Sequence, residues 1–291
     1  VASATTGHIG PYRLLNAVNT SQTTQVWQAV HDGKKQFFGL KVLRKEFWSD
    51  REQLSLMKRE YTVGSKLEHP RVIRIFDFIK ERGASLLVME WFSAPNLKKL
   101  IQQGGDDLAY LTPRIVQQMC EGLAYMHRQG WIHRDIKPDN FLITVNGNTK
   151  LIDFALAVKR KKGLKKLFAS KTKVQGTRSY MAPEQILGQP VDGRSDLYSL
   201  GCVVYELFAG KSPFTGTNTN DLLNKHLKAA PPSIESVNPN TTPELSRLLQ
   251  KAMAKKPSNR YNCVEDFLTA FQMIKPFRRV PRTPKEAKPS H

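Results

Sequence analysis

The sequence predicts an α+β fold in which a small, strand-rich part with one main helix precedes a larger, mainly helical part. Three observations carry this. The first third alternates short apolar runs, YRLLNAV, QVWQAV and FFGLKVL, rich in residue types that favour strands. After Pro95 the pattern becomes helical. Residues 196–210, DLYSLGCVVYELFAG, are apolar on nearly every side and read as a buried central helix.

The elements follow in order. A helical pattern over 51–67 puts Leu54, Met57, Tyr61 and Gly64 or Ser65 on one face, and His69-Pro70 is expected to end it because proline pushes its predecessor out of the α region. VIRIFDFI and ASLLVMEWF read as two further strands, with a break near 93–95. Pro113 opens a helix through Ile115, Val116, Met119, Leu123 and Met126. Amphipathic segments over 220–227, 243–254 and 264–274 complete the helical part, and no internal repeat is seen.

Bulk properties narrow the function classes. The 291 residues are 40% apolar, a globular composition, and no uninterrupted apolar stretch approaches the roughly 18 residues of a membrane-spanning helix. VASATTGHIGPY lacks the pattern of a signal peptide. Cys120, Cys202 and Cys263 are far apart and form no C-x-x-C pair, so buried thiols in a reducing compartment are expected. A cytoplasmic location follows, including that of a cytosolic part of a larger, membrane-attached protein. The net charge of +20 is uneven: nine basic and no acidic residues lie between Asp153 and Glu184. Such a cluster suits an acidic partner or anionic surface, or is simply a solvated segment.

The residues that carry chemistry are His133-Arg134-Asp135-Ile136-Lys137-Pro138-Asp139-Asn140, followed thirteen residues after Asn140 by Asp153-Phe154. Strand-like FLI and KLI flank an Asn146-Gly147 turn between them. An aspartate and an asparagine five apart on a loop, with a second aspartate across a hairpin, suit a base that orients a hydroxyl beside an oxygen-bound divalent cation.

This stretch resembles the protein kinase family, whose patterns H-R-D-x-x-x-x-N and D-F it matches. It is most similar to the eukaryotic-like (Hanks-type) serine/threonine kinases of bacteria, on the wording MAPEQI, RSDLYSLGCVVYELFAGKSPF and PNTTPELSRLLQKAMAKKPSNRY. The resemblance implies a two-lobed kinase domain over 12–274, with an N-lobe of 12–92 and a C-lobe of 93–274. Residues 1–11 are then an N-terminal extension and 275–291 a basic, proline-containing tail.

It also implies roles. Lys41 would hold the α- and β-phosphates of ATP, and Glu60 would hold Lys41. Asp135 would orient the substrate hydroxyl, Lys137 would neutralise the transferring group, and Thr177 would bond both. Asn140 and Asp153 would bind Mg²⁺ or Mn²⁺. Met89 would back the adenine, Glu90 and Phe92 would supply its hydrogen-bonding edge, Val18, Val26 and Gly39 the roof, and Leu142 the floor. Glu184 of Ala182-Pro183-Glu184 would pair with Arg260. Asp196 reads as a plain N-cap; in the family it also holds the catalytic loop backbone. Arg134 would receive a phosphorylated residue, with Ser170 and Thr172 as candidates.

Two departures stand out. The phosphate-covering pattern G-x-G-x-x-G-x-V, counted back from Val26, has Asn19, Ser21 and Thr24 where the family has glycine, so weaker nucleotide binding is expected. Asp153-Phe154-Ala155 replaces D-F-G, and Gly64 leaves little side chain to pack against Phe154. The implied activity is ATP-dependent phosphotransfer to serine or threonine of protein substrates. The alternative is a pseudokinase acting as a scaffold. A third class, a basic module for nucleic acid or membrane, rests on charge alone, and no specific nucleic acid is expected. The sequence leaves oligomeric state and physiological substrate open.

Overall fold

A computed structural model describes residues 7–81, 83–160 and 176–282. Ser170, Thr172 and most of the basic cluster lie outside the described residues. The chain divides into two compact units, and the division is discontinuous. One unit runs to Ser93 and takes in Ile152–Ala157; the other comprises Ala94–Leu151 and the chain from Val158 onward.

The first unit is a six-stranded antiparallel sheet with one α-helix. It contains β1 (His8–Ile9), β2 (Tyr12–Thr20), β3 (Thr24–His31), β4 (Phe37–Leu43), helix α1 (Arg51–Gly64), β5 (Ile75–Glu81) and β6 (Ala84–Glu90). The strand order is β1-β2-β3-β4-β6-β5. Strict alternation along β4 sends Phe38, Leu40 and Val42 into a core with Tyr12, Leu14, Ala29, Leu86 and Val88. Gly39 and Lys41 therefore point to the opposite face. Helix α1 starts at Asp50, whose Oδ1 accepts hydrogen bonds from the amides of Glu52 and Gln53. It stops at Gly64, three residues short of the expected end, so His69-Pro70 is not what terminates it. Its buried residues are Met57, Glu60, Val63 and Gly64. An apolar-periodicity argument cannot see a face that contains a glutamate.

The second unit is helical around two short hairpin-like pairs. It contains α2 (Leu97–Gln103), α3 (Asp106–Arg128), β7 (Trp131–Ile132), β8 (Phe141–Ile143), β9 (Thr149–Leu151), β10 (Val158–Lys159), α4 (Pro183–Ile186), α5 (Gly193–Ala209), α6 (Thr219–Lys228), α7 (Pro243–Ala252) and α8 (Val264–Gln272). Helix α3 begins well before Pro113, which lies inside it. Its first turn carries Asp106 and Asp107, which favour the positive end of the helix dipole. Helix α5 is almost wholly buried, as expected, but it begins at Gly193 with Asp192 as its cap. Asp196 is thus one turn inside the helix, free of capping duty.

Candidate active site

In the first unit the neighbouring strand β3 pairs Val26 with Lys41 on β4. Lys41 Nζ lies 2.7 Å from Glu60 Oε2 and 3.7 Å from Asp153 Oδ1. The Lys41 ammonium thus lies against both Glu60 and Asp153. Burial works to lower the Lys41 pKa, but the charges of Asp153 and Glu60 more than offset it, and the net shift is upward. Burial pushes the Glu60 carboxyl up to about 7, against the pull of Lys41 and with the charge of Asp153 adding to the rise.

Asp153 takes φ +66°, a left-handed backbone, whereas Ala155 is not among the residues of positive φ. Glycine's freedom is therefore unused at position 155 in this conformation, and the alanine is tolerated. The Ala155 amide donates to Asp153 Oδ1 at 3.3 Å. Phe154 is fully buried. A Cβ on Gly64 would stand 2.4 Å from Ile75 Cδ1 and 3.0 Å from Phe154. Ile75 and Phe154 both reach the helix backbone, and the missing side chain is what makes room for them.

Of the residues expected around adenine, Val18 is exposed at the end of β2 and Val26 is half-buried. Met89 lies opposite Gly39 across β4 and β6, and the Glu90 amide donates to the Arg74 carbonyl at 2.9 Å. Phe92 follows β6 and is half-buried. Leu142 belongs to the second unit, on β8, where it bridges Asn96. At the tip of the β2–β3 hairpin, Asn19 pairs with Val26 and Ser21 turns its hydroxyl onto the Thr24 amide at 3.0 Å.

In the second unit Asp135, Lys137, Asn140 and Thr177 come together. Lys137 Nζ is 2.8 Å from Asp135 Oδ2 and donates to Thr177 Oγ1 at 2.9 Å. The Thr177 amide donates to Asp135 Oδ1 at 2.8 Å, and Asn140 Nδ2 donates to the Asp135 carbonyl at 2.8 Å. Gly176 makes this approach possible. It takes φ +120°, and a Cβ there would stand 3.0 Å from the Arg134 carbonyl oxygen.

The catalytic loop is suspended from a buried carboxylate. Asp196 accepts the amides of His133 and Arg134 at 2.8 and 2.7 Å, and His127 Nε2 lies 2.7 Å from its Oδ2. Burial alone would raise this carboxyl; the hydrogen bond and charge of His127, the charge of His133 and the Arg134 amide together hold it below the ordinary value. Gln185 Nε2 donates to the Arg134 carbonyl at 3.0 Å. Beneath it, Arg260 meets Glu184 through two hydrogen bonds of 2.7 and 2.8 Å, and Ser195 Oγ donates to Glu184 Oε1 at 2.6 Å. His127 and Gln185 were not expected from sequence. Their partners lie 69 and 51 residues away, and no local pattern marks them.

Asp153 in the first unit and Asn140 in the second each carry a side-chain oxygen of the kind a hard cation takes. Among the described residues no cluster of three or more His, Cys, Asp or Glu forms a metal cage. A lone carboxylate or amide oxygen fits Mg²⁺, which keeps waters and shares its coordination with substrate phosphates. Lys41 fits a phosphate; the hairpin tip fits less well, since Ser21 occupies its amides. No described helix is long and apolar enough to cross a membrane.

A suspended catalytic loop with its aspartate, lysine and asparagine, together with a buried lysine–glutamate pair, defines a protein kinase domain, and the chain belongs to that family: residues 12–271 match the protein kinase domain. Its relatives include bacterial serine/threonine-protein kinases. It is 33% identical over 279 residues to serine/threonine-protein kinase PknA of Mycobacterium tuberculosis, covering 94% of this chain and 63% of that protein. It is 32% identical over 258 residues to serine/threonine-protein kinase PrkC of Bacillus subtilis, covering 88% of this chain and 39% of that one. The chain therefore spans less than two thirds of the length of these relatives.

Proposed function

We propose that this chain transfers the γ-phosphate of ATP to serine or threonine hydroxyls of proteins. The observation that carries the reading is the closed set Asp135–Lys137–Thr177, with Lys137 Nζ at 2.8 and 2.9 Å from the other two side chains. Asp135 accepts the hydrogen of the incoming hydroxyl and orients its oxygen for attack on the γ-phosphorus. Lys137 offsets the negative charge that builds on the transferring group. Lys41, kept cationic by its two carboxylates, holds the α- and β-phosphates. Asn140 and Asp153 would hold Mg²⁺ or Mn²⁺, which neutralises phosphate charge when bound. Serine/threonine preference is supported by Lys137 and Thr177 acting on one aspartate, and by the relatives' names.

The substitutions at Asn19, Ser21 and Thr24 favour a second reading, a scaffold with weak or no turnover. The retained charged groups of both units favour the enzyme. Residues 12–92 and 93–274 are proposed as the two lobes, with a protein as substrate. The proposed phosphosites Ser170 and Thr172, and the acidic partner or anionic surface of the basic segment, fall on residues outside the described set. Incubation with labelled ATP, Mg²⁺ and a generic basic protein tests the reading. Label on phosphoserine or phosphothreonine is expected; label confined to tyrosine, or nucleotide binding without turnover, would contradict it.

A further inference from the structure

A glycine-rich tip serves phosphate by leaving backbone amides unclaimed, since unpaired N–H groups converging on one point make an anion site. The tip of this hairpin has no such amides to offer at two positions. Ser21 Oγ accepts the Thr24 amide at 3.0 Å and the Thr23 amide at 3.3 Å. The same oxygen lies 3.0 Å from Thr24 Oγ1 and 3.1 Å from the Thr24 carbonyl, so its own hydrogen also has an acceptor. The Ser21 amide closes the turn on the Thr24 carbonyl at 2.8 Å. From the end of β4, the Arg44 amide binds the Thr23 carbonyl at 2.9 Å and its guanidinium binds the Gln22 carbonyl at 3.2 Å. The Ser21, Thr23 and Thr24 amides and the Ser21 hydroxyl are thus satisfied within the tip.

We propose that Ser21 is a built-in ligand of the hairpin tip: its hydroxyl stands in for a phosphate oxygen on the Thr23 and Thr24 amides, so that this chain holds nucleotide phosphates through Lys41 and the metal ligands without its tip. The inference rests on the ATP reading above and names the residue that sets nucleotide affinity within it. Of the three non-glycine positions, Ser21 alone carries the effect. Asn19 sits in a paired strand position, and Thr24 contributes its amide whatever its side chain. A phosphate oxygen is a charged and stronger acceptor than a hydroxyl, so it competes for these amides. What it gains is only the difference between two hydrogen-bond types, and the Ser21 side chain still fills the space it needs.

The test is direct binding of ATP, ADP and adenosine by calorimetry with Mg²⁺, which needs no turnover. Ser21→Gly and Ser21→Ala should each tighten ATP, the glycine by about tenfold, as expected for two amides released to a charged acceptor. Adenosine affinity should not move, because it has no phosphate. Asn19→Gly and the hydroxyl-keeping Ser21→Thr should bind ATP like the parent. The preference for ATP over ADP should be small in the parent and widen in Ser21→Gly. Removing the hydroxyl also loosens the turn, and that alone weakens ATP binding, so the sign separates the two explanations. ATP affinity unchanged or weaker in both Ser21→Gly and Ser21→Ala overturns the Ser21 assignment and leaves the ATP reading standing. If no variant binds ATP or adenosine, the ATP reading itself falls, and the Ser21 assignment with it.

Discussion

The tip of the β2–β3 hairpin and the catalytic loop over 133–140 answer to the same family pattern, and only the second keeps it. The loop keeps its pattern, and several of its polar groups are tied within the second unit. Asp196 holds two of its amides, Gln185 holds a carbonyl, and Lys137, Thr177 and Asn140 all bind Asp135. Changing one of these residues orphans several buried partners, which is costly. The hairpin tip is exposed and satisfies itself through Ser21, so its sequence is free to change without endangering the fold. Retention of the pattern thus follows tertiary entanglement as well as chemistry.

The sharpest way to break the comparison is to remove one member of an ion pair from each unit, Glu184 of the pair with Arg260 and Lys41 of the pair with Glu60. Glu184→Ala leaves the Arg260 guanidinium buried without its partner, and guanidinium cannot shed its charge. A loss of about 3–5 kcal/mol is expected, read from the denaturant midpoint. Lys41→Ala is the counterpart in the first unit and should spare the fold, because Glu60, with its pKa pushed up to about 7, takes a proton instead. Its effect should fall on phosphotransfer, by about 10²–10³-fold, the usual loss for a preorganised charge on the reacting group. A Lys41→Ala protein that unfolds, or one that keeps its parent's rate, contradicts the assignment.

The smallest effect is a pH slope. Glu60 titrates near 7 in the folded chain against an ordinary 4.5, so it binds a proton more readily folded than unfolded. Its contribution to stability is present below about pH 4.5 and is lost as the pH rises through about 7. Glu60→Gln should flatten the stability–pH curve in that window. A slope unchanged by the substitution would show that other groups set it.

The same contrast explains what the sequence made legible. Asp135, Lys137, Asn140, Lys41 and Glu60 could be singled out as candidates because their types and order match the patterns of the protein kinase family. The two-part architecture was readable from the change of period after Pro95. The cap of α5 was not: Asp192 and Asp196 both suit an N-cap locally, and only the distant amides of His133 and Arg134 decide that Asp196 is needed elsewhere. The start of α3 was hidden by Pro113, a start signal that here lies within a helix whose first turn is favoured by Asp106 and Asp107. At Gly64 the substituting group comes from Ile75, on another element, where no spacing rule points. Ser21 was visible as a missing glycine, but its role depends on hydrogen bonds that residue identity alone does not specify.

Asp135, whose carboxylate gathers Lys137 and the Thr177 amide, is the group on which transfer depends most directly in the proposed reaction. Transfer of labelled phosphate to a basic protein substrate should be measured for the parent and for Asp135→Asn at matched ATP occupancy. The account predicts that Asp135→Asn keeps the parent's ATP affinity and loses transfer by about 10²–10⁴-fold, the range for removing a positioned base. Equal transfer by the two proteins, or none by the parent at saturating ATP, would contradict it.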